Sequence, residues 1–486
     1  MPNPNYKSPR PAFTDPSETF SDDNPRIADV ESAFQRSSRY GDHLAVWDND
    51  LFPQFRYTRV NREGINAGIN HIQGIQRLKQ GKYLAISAGD STASVSHIFV
   101  AQLESRSAQG AWGSNVLQGN APPQSDKILK TVPLDRTCWH AGGISVLGDI
   151  LAVPLFGNGQ SKVLFLNMRS PENPTIFKDS IIERQDIQAA NAVALAKLPN
   201  GQFVCGVWRE VQRKPKGRID FYISHGSDFR KGFRPGMVTW SYGDLGLNES
   251  RDPQYQSINF IMPEYGSTEL PASGSTTLYM VGTENEANAA PFQTGSDIAD
   301  LFRVDIPNDL AAGDYTQKPV LTRLCSREFF CNKEYCNFDA AAGAYVEAGN
   351  KLSLYTGFHW RVDGTFRLSE FRAEPDPSVP VSSIASAWIE LYEHENFRGR
   401  RLTILGRGES SFRDYSKISV QGSGFNDRVS SARWQIPGSN TYRLYKNKDF
   451  EGEHFDLAGT GQVGEIGDLS ANPHNFGDVV SSSRYV

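Results

Sequence analysis

Near the end of the chain Asn426 and Asp427 stand side by side, and Ser430 and Ser431 follow after Arg428 and Val429. An amide oxygen, a carboxylate and two hydroxyls are thus gathered in one short stretch, with backbone carbonyls between them. Calcium takes six to eight hard oxygens at about 2.3–2.6 Å and accepts this mixture. Further on the pattern returns as Gly477, Asp478, Val479, Val480, Ser481, Ser482. The expected metal ligands are Asn426, Asp427, Arg428 and Ser430 in the first loop, with Asp478, Val479 and Ser481 in the second. Gly477 offers no side-chain oxygen, so the second site should be the weaker or more hydrated one. The competing reading is that these polar residues only tie their own loops.

Both loops close a longer unit. "IELYEHENFRGRRLTIL" precedes "FNDRVSSARW", and "YRLYKNKDFEGEHFDLA" precedes "FGDVVSSSRYV". In each an aromatic (Tyr392, Tyr445) comes before a Phe-x-Gly turn (Phe397 to Gly399, Phe450 to Gly452), where Gly permits the positive φ of a folded hairpin. A repeat of about fifty residues suits a four-stranded Greek key. These residues resemble the βγ-crystallin family. Its hairpin signature is matched at Tyr392, Phe397 and Gly399 and at Tyr445, Phe450 and Gly452. Its microbial calcium-binding members carry a double acid-or-amide, two free positions, then Ser/Thr and Ser, which Asn426 to Ser431 fits throughout. Gly477 is the one departure in the second copy. The resemblance covers about residues 386–486 and implies a double Greek-key sandwich that binds calcium. Vertebrate lens members mostly use such residues to tie loops.

A second set of chemistry-bearing residues lies upstream. His71, His140, Asn191, Gln256 and Asp339 each open an apolar segment with small residues early in it, and most continue through a Gly turn into a second apolar strand. The intervals are 69 (71 to 140), 51 (140 to 191), 65 (191 to 256) and 83 (256 to 339). Repeated four-stranded units resemble a β-propeller. Five blades are expected, or six if the longest interval holds another, with "HLAVWDND" and "FRYTRV" completing the last blade. The five polar residues would then ring one mouth of the central channel. His71, His140 and Asp339 are candidates for acid–base catalysis or for a second divalent metal in the channel. Trp139, Trp208, Arg209, Glu210, Glu284, His359 and Trp360, with Asn191 and Gln256, would line a ligand site for a carbohydrate-like molecule. Ordinary loop polarity and a water-filled channel are the plainer explanation.

The fold class expected is therefore all-β: residues 38–374 a propeller, 375–385 a Pro/Ser-rich linker, 386–486 a crystallin-type domain, and 1–37 an N-terminal extension. At 486 residues the chain has room for both domains. Its formal charge of -5 offers no basic field for nucleic acid. No apolar run approaches the roughly 18 residues that span a bilayer. The opening "MPNPNYKSPRPAF" has no apolar core of a signal peptide, so an extracellular or periplasmic location is expected only if an export signal has been removed. Cys138 and Cys205 read as buried thiols. Among Cys325, Cys331 and Cys336 one disulfide would leave one thiol over, and zinc there would lack a fourth ligand. No nucleophile elbow, P-loop, dinucleotide fingerprint or HExxH occurs. Three functions remain open: a monomeric calcium-binding protein with a polar ligand or glycan at the propeller mouth, a hydrolase or lyase acting there, and a structural surface or matrix protein.

Overall fold

In the computed structural model nearly all regular structure among the described residues is strand, in keeping with aromatic residues that favour strands and glycines that favour the turns between them. The structure describes residues 10–39, 41–47, 60–61, 64–65, 71–78, 81–90, 95–103, 126–184, 187, 189–211, 217–245, 253–264, 274–285, 297–329, 331, 337–338, 341–347, 350–357, 365–373, 380–384, 387–405, 411–420, 423–471 and 473–486. Two compact units divide the chain. One comprises Met1–Arg39, Ala45–Glu104 and Asp126–Ala373; the other holds Tyr40–Leu44, Ser105–Ser125 and Glu374–Val486. Among the described residues no helix is long and apolar enough to cross a membrane.

Most strands of the first unit fall, in chain order, into five mainly antiparallel sets. Of these the first and fifth are joined by hydrogen bonds into one sheet; Val60–Asn61 and Gly64–Ile65 pair separately. The first runs through His71–Arg77, Tyr83–Asp90, Val95–Leu103 and Asp126–Asp135. The second is built on Ser145–Leu147, Ile150–Gly157 and Gln160–Asn167, with His140–Ala141 pairing alongside. The third takes Ala192–Lys197, Phe203–Glu210, Gly217–Ile223 and Val238–Ser241. The fourth takes Ser257–Pro263, Ser275–Asn285, Asp297–Pro307 and Val320–Phe329. Ala341–Glu347, Lys351–Gly357 and Thr365–Phe371 make the fifth, beside the strand that ends at Trp47. No sixth sheet lies between Gln256 and Asp339 among the described residues.

The opening strand of each sheet touches that of the next, and the fifth meets the first again, where Ala342 pairs with Gly74 in parallel. Glycine makes this approach possible. A side chain on Gly142 would strike the Asn191 carbonyl, and one on Gly143 the Gln256 carbonyl. Between neighbouring sheets the side chains form successive apolar layers. Leu151 and Val153 meet Ile98 and Val100, for example, while Trp208 and Phe221 meet Tyr255 and Phe302. Strands covered on both faces lose the alternation of a half-exposed sheet.

The segment before the first sheet is part of this unit. Residues 12–38 cross four of the sheets in turn. Thr14 donates to Ile176 at 2.8 Å, and the Ser21 and Asp149 backbones lock together through a 2.7 Å bond. Lys197 N–H donates to Asn24 Oδ1 at 2.9 Å. Arg26–Ile27 pairs in parallel with Met262–Pro263. Ala28 N–H then donates to Asn350 Oδ1 at 2.8 Å, and Asp29 caps the helix Val30–Gln35, whose Val30, Ala33 and Phe34 are buried.

In the second unit two sheets face one another. One has the order Arg398–Leu405, Trp388–His394, Ser431–Gln435, Val463–Ile466; the other has His454–Ala458, Thr441–Tyr445, Ser482–Tyr485. The second repeat lends a strand to the first repeat's sheet, where Val463–Ile466 pairs with Ser431–Gln435, and Phe412 of the first repeat makes a single bridge to Ser483 of the second. Leu391, Leu402, Trp434, Tyr442, Leu444 and Leu457 fill the space between them.

Candidate functional site

The two hairpins of the second unit fold alike to the level of single dihedrals. Positive φ falls on Asn396 (55°) and Phe397 (60°), and again on Asp449 (57°) and Phe450 (65°), with Gly452 at 78°. The strained turn therefore rests largely on non-Gly residues, against expectation. It is held from outside. Ser431 Oγ accepts from Phe397 N–H and Ser482 Oγ from Phe450 N–H, both at 3.0 Å. The same hydroxyls donate to the carbonyls of His394 at 2.6 Å and Asn447 at 2.5 Å. The second Ser of each pair is thus a latch on its hairpin.

The first Ser of each pair has a different neighbour. Ser430 Oγ lies 2.7 Å from the Glu393 carbonyl and 2.8 Å from Asp478 Oδ1. Ser481 Oγ lies 3.0 Å from Asp427 Oδ1. The aspartate of one repeat therefore serves the serine of the other. Asp427 and Asp478 share the same left-handed backbone, φ 52° and 53°. Their N–H groups donate across to Val480 and Val429 at 3.1 and 2.9 Å. Asn426 Nδ2 donates to Asp427 Oδ2 at 2.6 Å, and its Oδ1 is buried with no hydrogen-bond partner among the described residues. Carboxylate, hydroxyl and carbonyl oxygens converging at a strained loop form a donor set suited to calcium. Among the described residues no three His, Cys, Asp or Glu side chains gather as a metal cluster. Any cation here would depend on hydroxyl, amide and backbone oxygens. The Glu393 carbonyl and the exchange of aspartates between repeats were not foreseen from the sequence.

In the first unit the strand openings converge at one end through their backbones. Gly89, cross-strand partner of His71, abuts the backbone of Trp139 and His140. Gly143 N–H donates to the Asn191 carbonyl at 2.7 Å, and Gln256 N–H to Thr283 at 3.0 Å. His140 is buried, its ring 4.3 Å from that of Phe156 and 5.4 Å from Trp139. Asn191 Oδ1 accepts from Glu210 N–H at 3.3 Å.

The other residues expected at a ligand site lie as follows. Trp208 is fully buried against Tyr255, ring centres 4.7 Å apart. Arg209 grips both oxygens of Asp220 at 2.7 and 3.3 Å. Asp220 also takes Arg184 at 2.8 Å and Thr239 at 2.7 Å, a buried network that sequence reading missed. Glu284 is buried and accepts from Gln254 N–H at 2.7 Å. Asp339, His359 and Trp360 lie outside the described residues. Cys138 and Cys205 are buried free thiols; burial pushes Cys138 up to about 11 and Cys205 higher still. No disulfide joins Cys325 to Cys331, and Cys336 lies outside the described residues.

No family model matches the chain, and no curated protein matches it. Solved structures resemble parts of it. A βγ-crystallin domain from Flavobacterium johnsoniae is 23% identical over 20% of this chain and 92% of its own, with a TM-score of 0.15. An endo-arabinase from Bacteroides thetaiotaomicron is 9% identical over 64% of this chain and 96% of its own, with a TM-score of 0.33. A glutaminyl cyclase from Myxococcus xanthus is 12% identical over 69% and 99%, with a TM-score of 0.29.

Proposed function

We propose that the C-terminal unit is a calcium-binding double Greek key of βγ-crystallin type, carried behind a five-bladed β-propeller. The observation that carries the calcium reading is the pairing of Ser430 with Asp478 and the Glu393 carbonyl, mirrored by Ser481 with Asp427. Each ion would join the two repeats, so that binding opposes their separation. A ligand that binds the native state alone adds RT ln(1 + [L]/Kd), about 2.7 kcal/mol at a hundredfold excess over Kd. The ring of five opening strands supports the propeller reading. For that unit we infer binding of a polar ligand rather than hydrolysis. Glycoside hydrolysis needs two facing carboxylates, and Glu284 is tied to the Gln254 backbone. Calorimetric titration of the whole chain with calcium is the test. Heat with a stoichiometry near two and a raised melting midpoint are expected; neither heat nor shift would end the calcium reading.

A further inference from the structure

At the end of the ring opposite His71 and His140, the opening strands of the first unit surround a cavity of about 220 Å³. Gln76 and Arg77 come from the end of the first sheet's opening strand, Ser145 from the second, Asn259 and Phe260 from the fourth, and Tyr345 from the fifth. Asp23–Pro25 borders it, held in place by the Asn24 side-chain amide, which donates to the Lys197 carbonyl and accepts from the Lys197 N–H. Among the described residues both side-chain hydrogen bonds of Gln76 use its nitrogen, to Asn259 Oδ1 at 2.6 Å and the Ile144 carbonyl at 3.0 Å. Asn259 Nδ2 donates to Ser257 at 2.8 Å. Two amides are thus fixed in a wall that also carries Asn24, Arg77 and Ser145. Burying such groups is costly unless a partner satisfies them.

We propose that this cavity is a binding site for a small, uncharged polyhydroxy molecule of about monosaccharide size. Its charges oppose ions of either sign. Arg77 repels a cation, while its guanidinium already faces Glu347 at 3.6 Å and lies over the Tyr345 ring at 4.8 Å. Glu347 and Asp23 disfavour an anion. Neutral hydroxyls suit what remains: amide oxygens and nitrogens, the Ser145 hydroxyl, and the faces of Phe260 and Tyr345. The volume holds roughly seven waters at ~30 Å³ each, comparable to one sugar ring. This site is separate from the strand openings around His140 and from the calcium loops.

The test uses the whole chain with D-glucose, D-xylose, D-mannose and myo-inositol as neutral probes and inorganic phosphate as the anionic one. Calorimetry should show binding of at least one neutral probe. Asn259→Leu, which removes an amide, and Ala344→Leu, which fills the space, should each weaken it about tenfold or more. The unliganded melting midpoint of each variant reports whether it folds. Hydrogen exchange on the unmodified chain reads the same question without variants. Protection by the bound probe is expected in His71–Arg77, Ser257–Pro263 and Ala341–Glu347. Binding of none of the neutral probes, preference for phosphate, affinity unchanged in both variants, or protection confined to other strands would each overturn the assignment.

Discussion

Ser430 lies 2.8 Å from Asp478, a residue 48 positions further along and in the other repeat. Its counterpart Ser481 reaches back to Asp427 in the same way at 3.0 Å. Substitutions should therefore group by space and not by repeat. Ser430→Ala and Asp478→Ala should weaken the same calcium ion and show coupling in a double-mutant cycle. Ser430→Ala with Asp427→Ala should be close to additive, because these residues serve different clusters. Calcium titrations of the three single and two double variants decide it. Additivity in the first pair would dissolve the proposed grouping.

The latch serines should behave differently. Ser431→Ala and Ser482→Ala each leave a hairpin N–H and a carbonyl without their partner while Phe397 or Phe450 holds a left-handed backbone. A loss of about 1–3 kcal/mol in folding stability is expected for each. Calcium stoichiometry should stay at its unmodified value, which separates latch from ligand.

Asp220→Ala should be the most damaging single change in the first unit. It strands Arg184, which is fully buried and donates to Asp220 at 2.8 Å. Removing one partner of a buried pair costs about 3–5 kcal/mol. Urea unfolding measures this, and a change under about 1 kcal/mol would mean that water replaces the carboxylate.

Two buried groups set opposite pH limbs. Burial raises Glu370 from its ordinary 4.5 to about 8, with the Tyr355 hydroxyl donating to it at 2.9 Å. The folded chain keeps this proton where the unfolded chain has lost it, so stability falls as pH rises from 4.5 towards 8. Burial lowers His97 from 6.5 to about 3, so the unfolded chain takes up a proton first and stability falls as pH drops from 6.5 towards 3. Each slope is at most about 1.4 kcal/mol per pH unit. Together they place the optimum between 4.5 and 6.5. Glu370→Gln should flatten the alkaline limb in urea midpoints taken across pH. An alkaline limb as steep as before would show that Glu370 does not set it.

Much of this was legible in residue types. The Ser-Ser pairs, the Phe-x-Gly turns and the small residues of "HAGG" all mark local geometry, and local geometry is what a side chain can specify. The exchange of Asp427 and Asp478 between repeats is a tertiary relation with no local signal. The burial of Trp208 was not legible, for a physical reason. An aromatic in a hairpin strand suggests an exposed wall only if one face of the sheet is free, and here both faces are covered. The segment "AFTDPSETFSDDNPRIADV" has neither helical nor strand period, and its bonds reach residues as far away as Asn350. Its place could only be found in three dimensions.

That segment also sets an order in time. Thr14, Ser21, Asn24 and Ala28 leave the ribosome well before their partners Ile176, Asp149, Lys197 and Asn350 are made. They cannot take these bonds until almost the whole first unit exists. Contacts so distant along the chain make folding slow. Once seated they tie four sheets to one strap, so that a stretch of chain with almost no regular structure of its own fastens together sheets far apart in sequence.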